Sequence, residues 1–270
     1  RGRVVVIGGS RAMPGAPVLA AEAALRGGAG LVEVWVPEGL AARVRPSPAL
    51  LVRPLPETAA GSLRLEGPAW EGVRRADAVV FGPGAGPGVP PALLRRLLAE
   101  ARRVVVDGDG LSLLGVLGTL SVDAANKLVL TPHEGEMARL LGQPASAVRR
   151  DRRSAFLEAA ARWPGTLVLK GPFSIVGTGS LQVVNPVGGS ELATAGSGDV
   201  LSGLIGSLLA QGAPPLEAAA LGAYLHGWCG VQARRKAGRA VTAPDLIAAL
   251  PEAFAAVEAM SRPELYPEVG

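Results

Sequence analysis

A turn of small residues leads into an apolar helix in the second half of the chain, and an aspartate stands at their junction. The turn reads A-T-A-G-S-G-D and ends at Asp199, after which apolar residues recur at helical spacing from Val200 to Leu209. Glycines let backbone N–H groups converge, and a helix N-terminus carries partial positive charge, so this turn suits a phosphate or a developing oxyanion. Asp199 is then placed to act as a general base, but an aspartate here also serves as an ordinary N-cap. From this segment alone both interpretations stay open.

The segment T-P-H-E follows a predicted strand and indicates a second helix start. It fits a capping box with Thr131 as N-cap, Pro132 as the first helical residue and Glu134 as the capping partner. His133 then lies in the first turn, next to any bound anion, and we take it as a functional candidate. The other histidine of the chain, His226, lies midway along an apolar helix and is interpreted as a packed structural residue.

Three further charged residues stand where predicted strands end. Asp107 and Asp109 either hold a substrate hydroxyl or cap the turn, and Lys170 is either a phosphate contact or a solvated lysine at a strand end. The chain has two histidines, one cysteine and no metal-ligand spacing, which argues against a zinc site. It also has no P-loop motif and no G-x-G-x-x-G after the first strand, which argues against a Walker NTPase and an ordinary Rossmann dehydrogenase.

Short β-branched runs alternate with longer helical patterns along the chain. The predicted strands are Arg3–Ile7, Leu31–Val36, Ala78–Phe81, Arg103–Val106, Leu128–Leu130 and Leu167–Lys170, with a hairpin of Phe173–Val176 and Leu181–Val184 after them. The predicted helices are Ala16–Arg26, Pro91–Ala101, His133–Leu141, Ala145–Arg162, Gly198–Gln211, Pro215–Lys236 and Pro244–Met260. Most strands are apolar throughout, as parallel strands covered on both faces are. The pattern predicts one α/β domain over residues 1–270, a three-layer αβα fold with a mostly parallel central sheet and an antiparallel hairpin insert.

Glycines and polar residues gather at the carboxyl ends of five predicted strands, where open α/β sheets bind their ligands. The segments that follow these strands are G-G-S, G-P-G-A-G, D-G-D, T-P-H and K-G. Because five separate strand ends agree, we expect the functional site at this edge of the sheet.

Composition narrows the functional classes. Of 270 residues, 49% are hydrophobic and 19% are charged, and the net charge is +4. Arginine pairs are spread along predicted helices without clustering, so we expect no nucleic-acid partner. No apolar run is long enough to predict a membrane span, and no leader opens the chain. The single cysteine, Cys229, fits a reducing compartment, so we expect a cytoplasmic protein. Because the chain begins at Arg1 rather than Met, we expect residues upstream of it.

Taken in order, the motifs resemble the ADP- or ATP-dependent NAD(P)H-hydrate dehydratases of the ribokinase-like superfamily. The resemblance extends from Arg3 to Leu250. The matching segments are V-V-V-I-G-G-S, P-G-A-P, A-A-L-R-G-G-A-G-L-V, G-P-G-A-G, V-V-D-G-D-G-L, L-T-P-H-E-G-E-M, L-V-L-K-G, G-S-G-D-V-L-S-G and G-A-Y-L-H-G. Most of these segments are weak singly, but their order and spacing make the match specific.

The resemblance implies roles for particular residues. Contacts to the hydrated dinucleotide are implied for Ala16, Gly84, His133 and Asp199. Contacts to the adenine nucleotide are implied for Lys170, Gly171, Pro172, Phe173, Ser174 and Gly198. A phosphate or oxyanion turn is implied for Gly196, Ser197 and Gly198. Asp199 is the implied general base, and Glu136 falls where ribokinase relatives carry a magnesium-site motif. Two departures are Ser197, where the family commonly has threonine, and D-G-D-G-L, where it has D-A-D-A-L.

The implied reaction is the nucleotide-dependent dehydration of (6S)-NADHX or NADPHX to NADH or NADPH. The resemblance favours ADP to AMP over ATP to ADP as the accompanying change, with Mg²⁺ bridging the nucleotide phosphates. It also implies a homo-oligomer such as a tetramer, and an NAD(P)HX epimerase as a fused domain or partner. Two alternatives are a ribokinase-like small-molecule kinase for a vitamin precursor or sugar, and a non-catalytic nucleotide-sensing module. A phosphorylated end product would indicate the kinase, and turnover of any kind would exclude the sensing module.

Overall fold

A computed structural model describes residues 1–44, 47–58, 61–118, 120 and 126–261. Within these residues the strands form a single nine-stranded sheet, in the order β3-β2-β1-β4-β5-β6-β7-β8-β9. The strands are β1 (Arg3–Ile7), β2 (Leu31–Pro37), β3 (Leu51–Leu55), β4 (Ala78–Phe81), β5 (Val104–Val106), β6 (Leu128–Leu130), β7 (Thr166–Leu169), β8 (Ile175–Gly177) and β9 (Gln182–Val184). Strands β1 to β7 pair in parallel, whereas β8 and β9 add an antiparallel hairpin. The mostly parallel sheet and its hairpin insert confirm the prediction.

Helices cover both faces of this sheet. They are α1 (Ala16–Arg26), α2 (Glu38–Ala41), α3 (Ala69–Arg75), α4 (Pro91–Glu100), α5 (Asp109–Leu117), α6 (Glu134–Leu141), α7 (Ala145–Arg150), α8 (Arg152–Arg162), α9 (Ser197–Ala210), α10 (Pro215–Ala237) and α11 (Ala243–Ser261). A short 3₁₀ turn at Ser190–Leu192 precedes α9.

Two hydrophobic cores lie on opposite sides of the sheet. Alternate residues of β1 point to opposite cores: Val4 and Val6 pack with α1, α9, α10 and α11, whereas Val5 and Ile7 pack with α3 to α8. This alternation follows from the period of two along a strand, and burial on both sides explains why the central strands are apolar throughout. The result is the predicted three-layer αβα arrangement.

Several elements differ from the sequence prediction. Strand β3 was not predicted because it contains Arg53 and Pro54, which suit an edge strand rather than a buried one. Helices α2, α3 and α5 were also not predicted. The single helix predicted over Ala145–Arg162 is wrong, because α7 ends before Asp151 and the Asp151 carboxylate caps α8 by accepting from Ser154 N at 2.9 Å. No described helix is long and apolar enough to cross a membrane.

Candidate active site

A cavity of about 1060 Å³ opens at the carboxyl ends of β5, β6 and β7. Its walls include four groups of residues that the sequence analysis selected: Asp107 at the end of β5, His133–Glu136 at the start of α6, Lys170–Ser174 after β7, and Gly196–Asp199 at the start of α9. The cavity therefore lies at the edge of the sheet where the sequence analysis expects the functional site.

The start of α9 leaves backbone donors unused. Gly196 is its N-cap, with φ of +86° and no side-chain cap, so the prediction of Asp199 as N-cap is wrong. A side chain at Gly196 would place its Cβ 2.4 Å from Leu19 Cδ1 of α1, so α1 packs directly on the turn. Among the described residues, neither Gly198 N nor Asp199 N donates a hydrogen bond. These two N–H groups at a positive helix end can bind the oxygens of a phosphoryl group.

Asp199 lies in the first turn of α9 and has a raised pKa. Burial, then the negative charge of Asp107, raises the pKa of Asp199 to about 7, while the Lys170 ammonium opposes the shift. No hydrogen bond from another described residue reaches its carboxylate. A carboxylate with a pKa near neutrality can accept a proton from a hydroxyl, which is the property that a general base needs.

Lys170 is buried between acidic side chains rather than solvated. Its Nζ donates to Asp107 Oδ1 at 2.8 Å and lies 3.7 Å from Glu136 Oε2, with its side chain only 16% exposed. Burial alone would lower the pKa of Lys170, but the charges of Asp107 and Glu136 outweigh it and raise that pKa. The ammonium therefore stays charged and offsets the acidic side chains around it. The sequence analysis offered two roles for Asp107, which were to hold a substrate hydroxyl or to cap the turn. Its salt bridge to Lys170 is a third role that the sequence did not suggest.

His133, rather than Thr131, caps α6, so the predicted capping box is displaced by two residues. His133 Nδ1 accepts from Gly135 N at 2.9 Å and from Glu136 N at 3.2 Å, while Glu136 Oε2 accepts from His133 N at 2.7 Å. Thr131 is buried and its hydroxyl turns back to Val106 O. Because Nδ1 is an acceptor, the neutral ring carries its proton on Nε2. Burial lowers the pKa of His133, which favours this neutral form.

The loop after β7 presents an exposed aromatic ring beside the cavity. Lys170 N donates to Pro132 O at 2.9 Å, which joins this loop to the segment before α6. Phe173 has φ of +52° and is 68% exposed, and Ser174 Oγ donates to Gly171 O at 3.1 Å. A non-glycine residue in the left-handed region is uncommon, and an exposed ring at a cavity edge can stack on a planar base.

Ala16 and Gly84 lie on a neighbouring part of the same sheet edge, outside the residues that line the cavity. They contact each other, because a Cβ at Gly84 would lie 2.9 Å from Ala16 Cβ. Gly86 N donates to Asp109 Oδ2 at 2.8 Å, so Asp109 caps the glycine loop after β4. Ala16 is one helical turn before Leu19, the residue that packs on Gly196.

His226 is buried in the cavity wall, as its structural interpretation requires, but it also touches the phosphate turn. Its Nε2 lies 3.1 Å from Ser197 Oγ. Sequence reasoning did not find this contact, because 29 residues separate the two side chains and only the packing of α10 on α9 brings them together. No sequence signal other than a histidine in an apolar helix pointed to it.

The fold and the glycine-rich turn define a class of proteins with a ribokinase-like fold. The chain is similar to a ribokinase-like superfamily protein from Enterococcus faecalis, with 30% identity and a TM-score of 0.78 over 94% of this chain and 87% of that one. It is also similar to an ADP/ATP-dependent NAD(P)H-hydrate dehydratase from Bacillus subtilis co-crystallised with ATP/Mg²⁺, with 25% identity and a TM-score of 0.77 over 94% and 89% of the two chains. The chain belongs to the NAD(P)H-hydrate dehydratase family, whose profile matches residues 4–252.

Curated relatives agree with the family match. A bifunctional NAD(P)H-hydrate repair enzyme from Moorella thermoacetica is 42% identical over 93% of this chain and 48% of its own length. An ADP-dependent (S)-NAD(P)H-hydrate dehydratase from Neisseria meningitidis is 40% identical over 84% of this chain and 75% of its own length. The chain thus spans about half the length of the bifunctional relatives that it matches.

Proposed function

We propose that this chain dehydrates (6S)-NADHX or NADPHX to NADH or NADPH and consumes ADP or ATP in doing so. The observation that carries the proposal is Asp199, whose pKa is raised to about 7 by burial, beside two unused backbone donors at the start of α9. A base and an oxyanion-binding group next to each other are what phosphoryl transfer to a hydroxyl needs. Membership of the family and the names of its relatives support the choice of substrate.

The first step transfers a phosphoryl group to the ring hydroxyl of the hydrate. Asp199 takes the hydroxyl proton as the oxygen attacks the terminal phosphorus, and the phosphoanhydride bond breaks to release AMP from ADP or ADP from ATP. Gly198 N and Asp199 N donate to the phosphoryl oxygens as charge develops on them. Ser197 adds a hydroxyl on the same turn.

The second step eliminates phosphate. A ring hydroxyl is a poor leaving group, and its conversion to a phosphate ester makes departure feasible. The lone pair of the adjacent ring nitrogen expels inorganic phosphate as the C–O bond breaks, and loss of a proton from the neighbouring ring carbon restores the dihydronicotinamide. A phosphorylated sugar or simple alcohol has no such nitrogen, so the same first step there would stop at a stable phosphoester.

The two substrates would meet at Asp199. The hydrated dinucleotide would contact Ala16, Gly84 and His133, whose Nε2 carries a proton and lies 3.4 Å from Glu136 Oε1. The adenine nucleotide would lie along the loop from Lys170 to Ser174. The exposed ring of Phe173 supports this assignment, because a base can stack on it. In this arrangement Lys170 contributes through its backbone and through its charge inside the cavity wall.

Mg²⁺ fits this site as an ion carried mainly by the nucleotide. The described residues include no group of three or more His, Cys, Asp or Glu side chains placed to hold a metal. Glu136 is the nearest protein ligand that the sequence suggests, and its carboxylate already accepts from His133 N. Mg²⁺ commonly uses one or two carboxylates together with phosphate oxygens and water, so a single acidic side chain suffices. The ion would neutralise charge on the transferring group.

A coupled assay tests the proposed reaction. The protein is incubated with NADHX and either ADP or ATP, and NADH absorbance and ³¹P NMR are recorded together, with and without a chelator. We expect one inorganic phosphate per NADH and no accumulating phosphorylated dinucleotide. The matched control is Asp199→Asn. No turnover of NADHX, with a persistent phosphoester on a vitamin precursor or sugar, would replace the proposal with the small-molecule kinase.

We further propose that the chain works as a homo-oligomer with an NAD(P)HX epimerase fused to it or beside it. The repair enzymes from Moorella thermoacetica and Hyperthermus butylicus are named as bifunctional, and each is about twice the length of the region matched here. Light scattering would test the oligomeric state, and a mixture of the (6R) and (6S) epimers of NADHX would reveal whether an epimerase activity accompanies the chain.

A further inference from the structure

Among the described side-chain hydrogen bonds, only that of His226 joins α10 to the phosphate turn. Its Nε2 lies 3.1 Å from Ser197 Oγ, and both side chains are buried in the wall of the cavity that contains Asp199. The pair involves neither the Asp199 carboxylate nor the N–H groups of Gly198 and Asp199, so its role can be tested separately.

The surrounding contacts fix the part of α10 that carries His226. A Cβ at the next residue, Gly227, would lie only 2.4 Å from Val187 O, so α10 packs tightly on the segment before α9. The side chain of Asn185 ties the same two elements together, because its Nδ2 donates to Ala223 O at 2.9 Å and to Val187 O at 3.1 Å. The backbone that carries His226 is therefore held against the segment before α9, and the side chain is buried there beside Ser197.

The hydrogen atoms of this pair can be arranged in two ways. If the Ser197 hydroxyl donates to His226, its remaining lone pairs face the cavity and repel an anion. If His226 Nε2–H donates to Ser197 Oγ, the hydroxyl proton is free to point into the cavity and donate to a phosphoryl oxygen. Burial lowers the pKa of His226 to about 4, so the ring is neutral near pH 7 and has one proton to place.

We propose that His226 is a positioning residue that donates from Nε2 to Ser197 Oγ and so directs the Ser197 hydroxyl proton toward the transferring phosphoryl group. The proposal rests on the proposed phosphoryl transfer and adds one donor to the two backbone N–H groups of the turn. His226 itself does not contact the substrate in this arrangement. Its effect passes through Ser197, which predicts strong coupling between the two side chains.

A double-mutant cycle tests this coupling. Ser197→Ala and His226→Leu are each expected to lower kcat about 10- to 100-fold, the range for losing a hydrogen bond to a charged group, with KM for NADHX unchanged within a few-fold. The double variant should lose no more than the worse single variant, because one interaction is being removed twice. His226→Gln should recover most of the kcat, since its amide nitrogen reaches the position of Nε2. Losses that multiply, or a Gln variant no better than Leu, would overturn the proposal.

A spectroscopic measurement keeps the question open to test even if His226→Leu does not fold. The chain has two histidines, so ¹⁵N-histidine labelling gives two ring spectra, recorded on the full chain with and without ADP. We expect His226 to be protonated on Nε2 with ADP bound, and Ser197→Ala to move its signals while those of His133 stay fixed. An Nδ1-protonated ring with ADP bound would refute the proposal. This result does not depend on turnover of NADHX, so it is separable from failure of the proposed function.

Discussion

Two helices begin at the same cavity, and their N-termini are built in opposite ways. Helix α6 has eight residues, and its start is capped by the side chains of His133 and Glu136, which accept from the N–H groups of His133, Gly135 and Glu136. Helix α9 has fourteen residues, and its N-cap is Gly196, which offers no side chain. The first helix therefore pairs three N–H groups at its start with its own side chains, while the second leaves those of Gly198 and Asp199 unpaired among the described residues.

Packing explains why α9 can remain uncapped. Every residue from Val200 to Ala210 is buried between the sheet and its neighbouring helices, whereas α6 buries only part of one face. Tertiary contacts therefore hold α9 without a cap, although a short amphipathic helix such as α6 gains about 1 kcal/mol from one. The difference supports the proposal that α9 binds the anion, while the cap of α6 holds the His133 ring in one place. Lys170 lies between the two starts, within reach of Glu136 and against Gly198.

Removing the base at the uncapped start should have the largest effect. Asp199→Asn is expected to lower kcat on the order of 10²- to 10⁴-fold, because the amide cannot accept the hydroxyl proton. Stability should be unchanged or slightly higher, since the carboxylate caps nothing and lies near Asp107. The measurements are steady-state rates, thermal unfolding and calorimetric ADP binding. A folded variant that binds ADP and turns over within a few-fold of the parent would remove Asp199 from the chemistry.

The turn and Asp199 could be predicted from the sequence because the signal is local. Glycines before an apolar helix predict an anion-binding start whatever surrounds them, and valine-rich runs predict buried parallel strands. The N-cap of α6 was predicted at the wrong residue, because T-x-x-E and H-x-x-E have the same spacing and threonine is the commoner N-cap. Only the burial of Thr131 at the end of β6 decides between them.

Long-range pairs were beyond sequence reasoning. Lys170 and Asp107 are 63 residues apart, and the order of β5, β6 and β7 in the sheet is what brings them together. A lysine at the end of a strand looks solvated unless its partner is known. The roles assigned to the site residues remain predictions for the experiments below.

A methyl group added at the uncapped start of α9 tests whether the nucleotide needs access to the backbone there. Gly198→Ala places a methyl group 3.0 Å from Lys170 Nζ, where a phosphoryl oxygen would approach the backbone. Gly198 lies in the first turn of α9 and has no positive φ, so the variant should fold, with a stability change set by how far Lys170 Nζ can shift from the new methyl group. We expect kcat/KM for the nucleotide to fall about 10- to 100-fold, because small misplacements at a reacting centre are costly. Gly115→Ala, in α5 with no atom near its added methyl, is the matched control. Equal rates for both variants would contradict the assignment of phosphate to α9.

The charge of Lys170, which lies between the starts of α6 and α9, should influence how kcat/KM depends on pH. The pKa of Asp199 is about 7, so kcat/KM should rise from pH 6 to pH 8 as the carboxylate form is populated, and level off above that. Lys170 holds this pKa down, so Lys170→Met should move the midpoint to higher pH and raise KM for the nucleotide more than KM for NADHX. The variant also leaves Asp107 and Glu136 without their cation and should be less stable. Lys170→Arg keeps the charge and serves as the control; an unmoved midpoint in Lys170→Met would exclude this role.

Breaking the capped start should have the smallest effect and separates the two functions of His133. His133→Ala loses both the cap and the ring. We therefore expect about 1 kcal/mol less stability, and a larger loss of affinity for NADHX than for ADP relative to the parent. His133→Asn keeps an acceptor for Gly135 N and Glu136 N but removes the Nε2 donor. Its stability should therefore return toward the parent while its NADHX affinity stays low, as measured by thermal unfolding and calorimetry. If Asn restored both properties, His133 would be a cap and nothing more; if both ligands lost affinity equally in Asn, the ring would not distinguish them. Only the split result assigns the capped helix to the hydrated dinucleotide, because a cap alone acts on the fold and not on the choice of ligand.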